Sequence, residues 1–580
     1  MPRRPRAPLS LAALAVLLVG AGSPERADDF ALLDHEGRFH RLSGYAEQKA
    51  VVLFVQGNGC PMARGAIPAL RAVRDDLAPR GVAVLGLNAN PQDDRASVAA
   101  EAREFSIDFP ILLDDTQLVA ESLGITRTAE VLVLAPPGWR IAWRGPVDDA
   151  LDYGSARPAR EHFLHDALLA LLEGKAIATT VRDAPGCLIH FPRREPVSYE
   201  AEVAPLLAHR CVSCHRAGSV APFALSSHAV VAGFGPMIRE VVRTRRMPPW
   251  QPDPEIGRFA NGAGLTRDEA RALVHWIEAG APRGNGADPL DQSAPPAAPE
   301  WSLGPPDLIV AAPEQEIPAA GVVPYVYETL DVPLARDVWV RAVDLHPTNP
   351  RPMHHGIAWL EPPEGRTPAP TEGPSFTRGL LAGYVPGRAP EPLPEGAGYF
   401  VPAGSRIRFQ FHYTTTGRPE RDTPRLGLYF SERPLAHELA TGAAGRTDFA
   451  IPPGAPDHRE VAERTLARDV LVYRWMPHMH YRGKSMSYEA HYPDGRVEPL
   501  LSIPRYSFGW QLQYVLAEPK RLPAGTRLVV RAAFDNSARN PANPDPTAWV
   551  RFGEQSSDEM LFGYFLYRSL DDPRTQKAGP

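Results

Sequence analysis

Cys211-Val212-Ser213-Cys214-His215 divides this chain into an N-terminal and a C-terminal part, and the fold is read outward from there. Cys-x-x-Cys-His is the run of a covalent haem attachment site. Two thiolates at this spacing can form thioethers with the two vinyl groups of one haem, and the adjacent His then lies beneath the ring as an axial ligand. A helical approach over 199–210 leads into the run. Downstream, Thr266-Arg-Asp-Glu269 is a capping box, with apolar Ala270, Leu273, Val274 and Ile277 on one face and Gly280 as the stop.

A helix at each end of the motif resembles a monohaem cytochrome c domain. The resemblance implies an all-α domain over 195–284 holding one haem c through Cys211, Cys214 and His215. The sixth ligand is expected to be a Met, whose soft thioether stabilises ferrous haem. Met237 and Met247 are the candidates. Met247 lies in Arg246-Met247-Pro248-Pro249-Trp250, where prolines stiffen the loop that presents it, whereas Met237 has helical surroundings and is expected in the core. Met247 is therefore the expected ligand.

Working toward the N-terminus, residues 28–180 alternate in the manner of a parallel α/β domain. Lys49-Ala-Val-Val-Leu-Phe-Val55 reads as a buried strand. Gly57-Asn58-Gly59-Cys60-Pro61 and a helix ending near Pro79 come next, then a strand over 82–87, a helix around 97–105, and a closing hairpin from 131–134 and 141–144. A Cys between a strand and a helix N-terminus suits a redox or peroxidatic thiol, because the helix end stabilises thiolate. The segment resembles the thioredoxin-like redoxin family. It departs from the family pattern in having Ala63 where a second Cys would stand, and Leu53 and Gly57 where peroxiredoxins carry Pro and Thr or Ser. Thr128-Ala129-Glu130 stands where a cis-proline is usual. Cys187, the other cysteine outside the haem run, either pairs with Cys60 as a disulfide or is an unrelated thiol. These departures favour a structural or electron-relay domain over an active thiol enzyme.

Residues 1–27 read as an export signal: Arg3, Arg4 and Arg6 precede an apolar run over 9–19, with small residues at 20–23. No other segment could cross a bilayer, so a periplasmic or secreted protein without a transmembrane span in the mature chain is expected, in keeping with haem attachment outside the cytoplasm. A chain of 580 residues implies roughly three or four domains. The net charge of −6 without a long basic run makes nucleic acid an unsuitable partner. The 64 prolines favour loops and edge strands over long helices.

Toward the C-terminus, 285–305 is a linker rich in Pro, Ala, Asp and Gln. Beyond it, short strand-like runs such as 339–343, 406–413 and 527–534 alternate with Pro and Gly turns, the pattern of two all-β sandwiches over 306–455 and 456–575. This region carries His354-His355, His412 in Gln410-Phe411-His412-Tyr413, His478-Met479-His480, and Met560 in Asp558-Glu559-Met560. His478 and His480 share a face of a strand and can chelate one ion. Adjacent His354 and His355 can share a metal only at a bend or strand end, with His412 arriving from another strand. Three imidazoles suit copper or zinc, and two imidazoles with a thioether select copper.

The order His-His, Gln-x-His-Tyr, His-x-His, Asp-Glu-Met resembles the copper type II, ascorbate-dependent monooxygenases, the family of peptidylglycine α-hydroxylating and dopamine β-monooxygenases. The resemblance spans 306–570 and implies two jelly-roll domains with two copper ions. His354, His355 and His412 would form the electron-transfer site, and His478, His480 and Met560 the site where O2 binds and a C–H bond is hydroxylated. Two departures matter: the region lacks Cys, and Met476 stands where peptide-hydroxylating members place an Arg, which speaks against a peptide. Asp535-Asn536-Ser537 and Trp510-Gln511 are candidates for lining the cleft. The expectation is an exported monooxygenase of a small-molecule substrate, with electrons passing from an external donor (an ascorbate-like reductant or a redox protein) through the haem. The alternatives are a periplasmic electron-transfer or copper-binding protein without oxygenase activity, and a thiol-dependent peroxide or disulfide reductase using Cys60.

Overall fold

The computed structural model describes residues 24–571, apart from 153–154, 218, 292–299, 367–370, 387–389 and 391. The apolar run of the expected export signal and most of the linker thus lie outside the described residues. No described helix is long and apolar enough to cross a membrane. The chain forms two compact units. Among the described residues, one comprises 24–29 and 42–191, and the other comprises Phe30–Arg41 and the chain from Pro192 onward. A short hairpin, β1 (Ala31–Leu33) with β2 (Phe39–Arg41), is counted with the second unit.

The first unit is a five-stranded sheet. Strands β3 (Ala50–Gln56), β4 (Val82–Asn88) and β5 (Ile111–Leu113) run parallel, and β6 (Val131–Ala135) and β7 (Arg140–Gly145) close it antiparallel, in the order β5-β4-β3-β6-β7. Every residue of β3 is buried, which is why the apolar run there is continuous rather than alternating. Helix α1 (Pro61–Leu77) has Cys60 as its N-cap and Pro61 in its first turn, and buries Ala66, Ile67, Leu70, Val73 and Leu77. A reciprocal capping box between Asp94 and Ser97 starts α2 (Arg95–Glu104). Helices α3 (Leu118–Ser122) and α4 (Phe163–Leu172) complete a thioredoxin-like α/β fold. The unit extends past residue 180: Arg182 N–H donates to the Arg144 carbonyl and Ile189 N–H to the Thr126 carbonyl. That return strip carries Cys187.

In the second unit, a turn over Tyr199–Val203, capped by Ser198, leads into α5 (Ala204–Arg210). Two short helices come next, α6 (His228–Gly233) and α7 (Gly235–Arg243), and then α8 (Arg267–Glu278), which begins at the expected Thr266/Glu269 capping box. Tyr199 stacks on Trp276 at 5.5 Å, closing the two ends of the segment over Val203, Leu207 and Leu273. Met237 corrects the sequence reading: it is 50% exposed on α7, because Ile238 rather than Met237 faces the small core.

The C-terminal region is all β. Its two sandwiches share one eight-stranded sheet, ordered Leu308–Ala311, Arg425–Phe430, Val338–His346, Ala397–Val401, His437–Arg446, Leu561–Ser569, Val470–His478 and Tyr514–Leu522. A four-stranded sheet containing Arg406–Tyr413 and Met353–Glu361 belongs to the first sandwich, and one containing Arg527–Phe534 and Gly483–His491 to the second. The strand His437–Arg446 pairs with Leu561–Ser569 along most of its length, so the chain enters the second sandwich well before residue 456. Small residues make that pairing possible: a Cβ on Gly442 would lie 2.4 Å from the Phe565 ring, and one on Gly445 2.1 Å from Phe562. The 253–261 stretch adds backbone bonds to this sandwich, from Asp253 N to Ser502 O (2.9 Å) and Ala260 N to Val515 O (2.8 Å).

Candidate functional site

In the first unit, the strand-to-helix turn delivers Cys60 to the N-terminus of α1, where its sulfur accepts the Ala63 N–H at 3.5 Å. The return strip brings Cys187, 127 positions later, to 3.2 Å sulfur to sulfur, without a covalent bond between them. Thr128 stands against both. Its hydroxyl lies 3.0 Å from Cys60 Sγ and accepts the Cys187 N–H at 2.9 Å, while the Thr128 N–H donates to the Cys187 carbonyl at 2.9 Å. Backbone pairing this close needs Gly186, since a Cβ there would fall 1.6 Å from the Thr128 carbonyl oxygen. The absent second Cys of the helix turn is thus replaced from outside the expected domain boundary, and the residue read as a missing cis-proline position supplies a hydroxyl instead.

The electrostatics of the pair are asymmetric. Burial disfavours a charge on Cys60, but the bonds from Thr128, the Ala63 N–H and Cys187 outweigh it and hold the thiol below its usual range. Cys187 is exposed and moves the other way, raised by its bond to Cys60 and by partial burial. One buried sulfur is therefore prepared to carry charge, and one accessible sulfur lies beside it.

In the haem-type run, the His215 N–H bonds back to the Cys211 carbonyl at 2.9 Å, and the His215 Nδ1 meets the Phe223 carbonyl at 3.1 Å, leaving Nε2 available. That is the arrangement an axial imidazole requires. Cys211 is half-buried, and burial pushes its thiol up to about 11. The His215 ring packs against Phe223 at 4.8 Å, and Met247 lies half-buried in the turn after α7.

In the β region, a bulge between Met353 and His355 breaks the alternation that would send adjacent histidines to opposite faces. His354, His355 and His412 consequently converge, with one donor atom from each lying within 4.8 Å of the others. The two Nδ1 atoms of His354 and His355 face each other at 3.1 Å, and His412 Nδ1 is buried with no hydrogen-bond partner among the described residues. Burial and the neighbouring imidazoles push His354 down to about 4 and His355 well below its usual value; burial alone takes His412 to about 4. These shifts favour the neutral imidazole, the form that can ligate a metal.

His478 ends its strand and His480 lies just beyond it, their rings 5.2 Å apart. His478 Nδ1 is bound to Gln511 Oε1 at 2.6 Å and His480 Nδ1 lies 3.3 Å from the Asp558 carbonyl, which orients both rings through that nitrogen. Met560 lines the same cavity of about 310 Å³ as His355, His478, His480, Met476 and Gln511. Phe508 bridges the two clusters, stacked on the His354 ring at 4.7 Å and 5.7 Å from the His480 ring. The fully buried Glu559 carboxyl, which burial pushes up to about 8, ties the two ligand-bearing turns together by accepting N–H bonds from His480 (2.8 Å), Arg482 (2.6 Å) and Met560 (3.3 Å). Of the other cleft candidates, Asn536 is wholly buried and bonds the Pro452 and Ala548 carbonyls, and Asp535 with Ser537 forms a local turn. Sequence reasoning missed Phe508 and Glu559; only the adjacency of Glu559 to Met560 could have pointed to the latter.

The profile described as the AhpC/TSA family matches residues 24–166. A stretch of 99 residues is 31% identical to thiol-disulfide oxidoreductase ResA of Geobacillus thermodenitrificans; it covers 17% of this chain and 55% of that protein, so the chain spans about half the length of this relative. Similar solved structures include a hypothetical protein from Sinorhizobium meliloti (28% identity, 30% of this chain and 96% of that one, TM-score 0.28). Another is an uncharacterized conserved protein from Geobacillus kaustophilus (26% identity, 30% and 94%, TM-score 0.28). A putative thiol:disulfide interchange protein DsbE from Chlorobium tepidum is 18% identical, covering 26% and 98%, at TM-score 0.22. The N-terminal part of the chain is a redoxin domain of thioredoxin-like fold, succeeded by a large all-β region.

Proposed function

We propose that the protein is an oxidoreductase whose N-terminal unit works by thiol–disulfide exchange on Cys60 and Cys187. The observation that carries this is the 3.2 Å approach of two sulfurs at the N-terminus of a 17-residue helix in a redoxin fold. The likeness to ResA supports an exchanging couple over the purely structural disulfide that the departures from the redoxin pattern suggested. Equilibration in glutathione redox buffers, with peptide mapping of the products, tests it. A Cys60–Cys187 disulfide that forms and reverses with the poise is expected, and its absence at every poise refutes the reading.

A second reading, copper-dependent oxygenation in the β region, is favoured by the convergence of His354, His355 and His412. The donor set fits: His412 Nδ1 is a buried orphan, and His478 and His480, held through their Nδ1 atoms, line one cavity with Met560. His354, His355 and His412 would hold one copper and His478, His480 and Met560 a second, supplying one-electron chemistry for hydroxylating a C–H bond with O2. Gln511 and the Asp558 carbonyl orient the two imidazoles of the second set, and the largely apolar cavity would take a small organic substrate. The orientation of His215 fits a haem c on Cys211 and Cys214 that would relay electrons from an external donor in an exported protein. Copper analysis tests the reading: two equivalents per chain, one fewer in His412→Ala, and substrate-dependent O2 uptake abolished in Met560→Leu. Copper binding without O2 uptake favours an electron-transfer or copper-binding role, and absence of copper refutes both.

A further inference from the structure

The two sulfurs of the couple are not equivalent to an approaching molecule. Cys60 is 5% exposed and enclosed by Thr128 and the first turn of α1, whereas Cys187 is exposed and adjoins Leu188, which is 70% exposed. We propose that exchange enters through Cys187, with an incoming thiolate attacking its exposed sulfur and Cys60 departing as the leaving group. This rests on the reading of Cys60 and Cys187 as a redox couple. It reverses the polarity suggested by a cysteine at a helix N-terminus, where the low-pKa thiol is ordinarily the attacking one.

The steps balance with a dithiol as the reductant. Its first thiolate bonds to Cys187 Sγ, the bond between Cys187 and Cys60 breaks, and Cys60 keeps the electron pair as a thiolate. The reductant's second thiolate then attacks its own partner sulfur in the mixed disulfide, Cys187 leaves and takes up a proton, and the reductant departs as a disulfide. Two electrons have entered the couple. Exchange is faster when the departing thiol has the lower pKa. The Thr128 hydroxyl at 3.0 Å and the Ala63 N–H stabilise charge on the sulfur that must depart. Arg127, held through its Nη1 bond to the Gly186 carbonyl (3.1 Å), adds a positive charge beside Cys187 that favours an anionic attacker. Stabilising the reduced thiolate also makes the disulfide easier to reduce, so the couple is suited to accepting electrons from thiols.

The test uses the oxidised full-length protein and glutathione. The Cys60–Cys187 disulfide is first verified by peptide mapping; glutathione is then added, the reaction is quenched with acid at short times, and the adduct is located by mass spectrometry. Glutathione on the Cys187 peptide at least ~10-fold above the Cys60 peptide is expected. Equal or inverted labelling overturns the proposal while leaving the couple intact, whereas failure to find the disulfide at the first step overturns the couple itself. As a second readout, Cys60→Ser should take up glutathione from glutathione disulfide at Cys187, and Cys187→Ser should label at Cys60 at least ~10-fold more slowly. Faster labelling of Cys60 contradicts the proposal.

Discussion

Replacing Thr128 by Val removes a hydroxyl 3.0 Å from Cys60 Sγ and leaves the side-chain shape nearly unchanged. A hydrogen bond to a charged group contributes about 1.5–3 kcal/mol. Cys60 keeps the Ala63 N–H at 3.5 Å, so the lower end applies, about 1.5 kcal/mol, which is about one pH unit upward in the Cys60 thiol. Because that energy stabilised only the reduced thiolate, the disulfide becomes harder to reduce by about 30 mV for a two-electron couple. The sign carries a pH dependence. Cys60 is held below its usual range, so the parent's advantage is complete above the variant's higher pKa and disappears as pH falls through the parent's lower one. Ultraviolet titration of thiolate, taken as the difference from Cys60→Ser, reads the first quantity, and equilibration with glutathione buffers at several pH values reads the second. Thr128→Ser keeps the hydroxyl and should restore both. A Val variant that titrates like its parent, or a Ser variant that shifts as far as Val, would refute the assignment of Thr128 as the donor that stabilises the thiolate.

Three further outcomes are expected. Gly186→Ala places a Cβ 1.6 Å from the Thr128 carbonyl, so the return strip must lift away; disulfide formation should slow at least ~10-fold while hydrogen exchange in β3 is unchanged. Burial, aided by neighbouring Asp115, pushes Asp114 up to about 6 from 3.8, so the folded unit binds this proton more tightly than the unfolded chain. Its stability should therefore fall by about 3 kcal/mol as pH rises from about 4 to 6, a slope that Asp114→Asn should flatten in hydrogen exchange of β3 and β4. Glu559→Ala orphans the N–H groups of His480, Arg482 and Met560 at a fully buried position. At about 1–3 kcal/mol for a buried unsatisfied group, a loss of at least ~3 kcal/mol is expected. Glu559→Gln, which keeps an acceptor, should lose less in thermal unfolding.

Local signals are the legible ones in this chain. The β3 run, the Cys60 turn and the Thr266/Glu269 capping box each depend on neighbours in the chain, and each folds as the pattern implies. Met237 departs from the expected core position because helical spacing does not say which face meets a core, and on α7 that face belongs to Ile238. The strand His437–Arg446 joins the two sandwiches, pairing with Ala397–Val401 at its start and with Leu561–Ser569 along most of its length, and its Gly residues leave the room for Phe562 and Phe565 that no alternation announces.

By itself the sequence determined which chemistries the chain can carry: a thiol at a helix start, a Cys-x-x-Cys-His turn, and five imidazoles and a thioether able to ligate metal in the β region. Those come from residue type and short spacing. Tertiary structure decided which groups meet. Cys187 reaches Cys60 because Gly186 admits the Thr128 backbone, and His354 and His355 turn to the same side because a bulge interrupts their strand. Both depend on how closely one backbone can approach another across long sequence separations, a property no stretch of sequence states on its own.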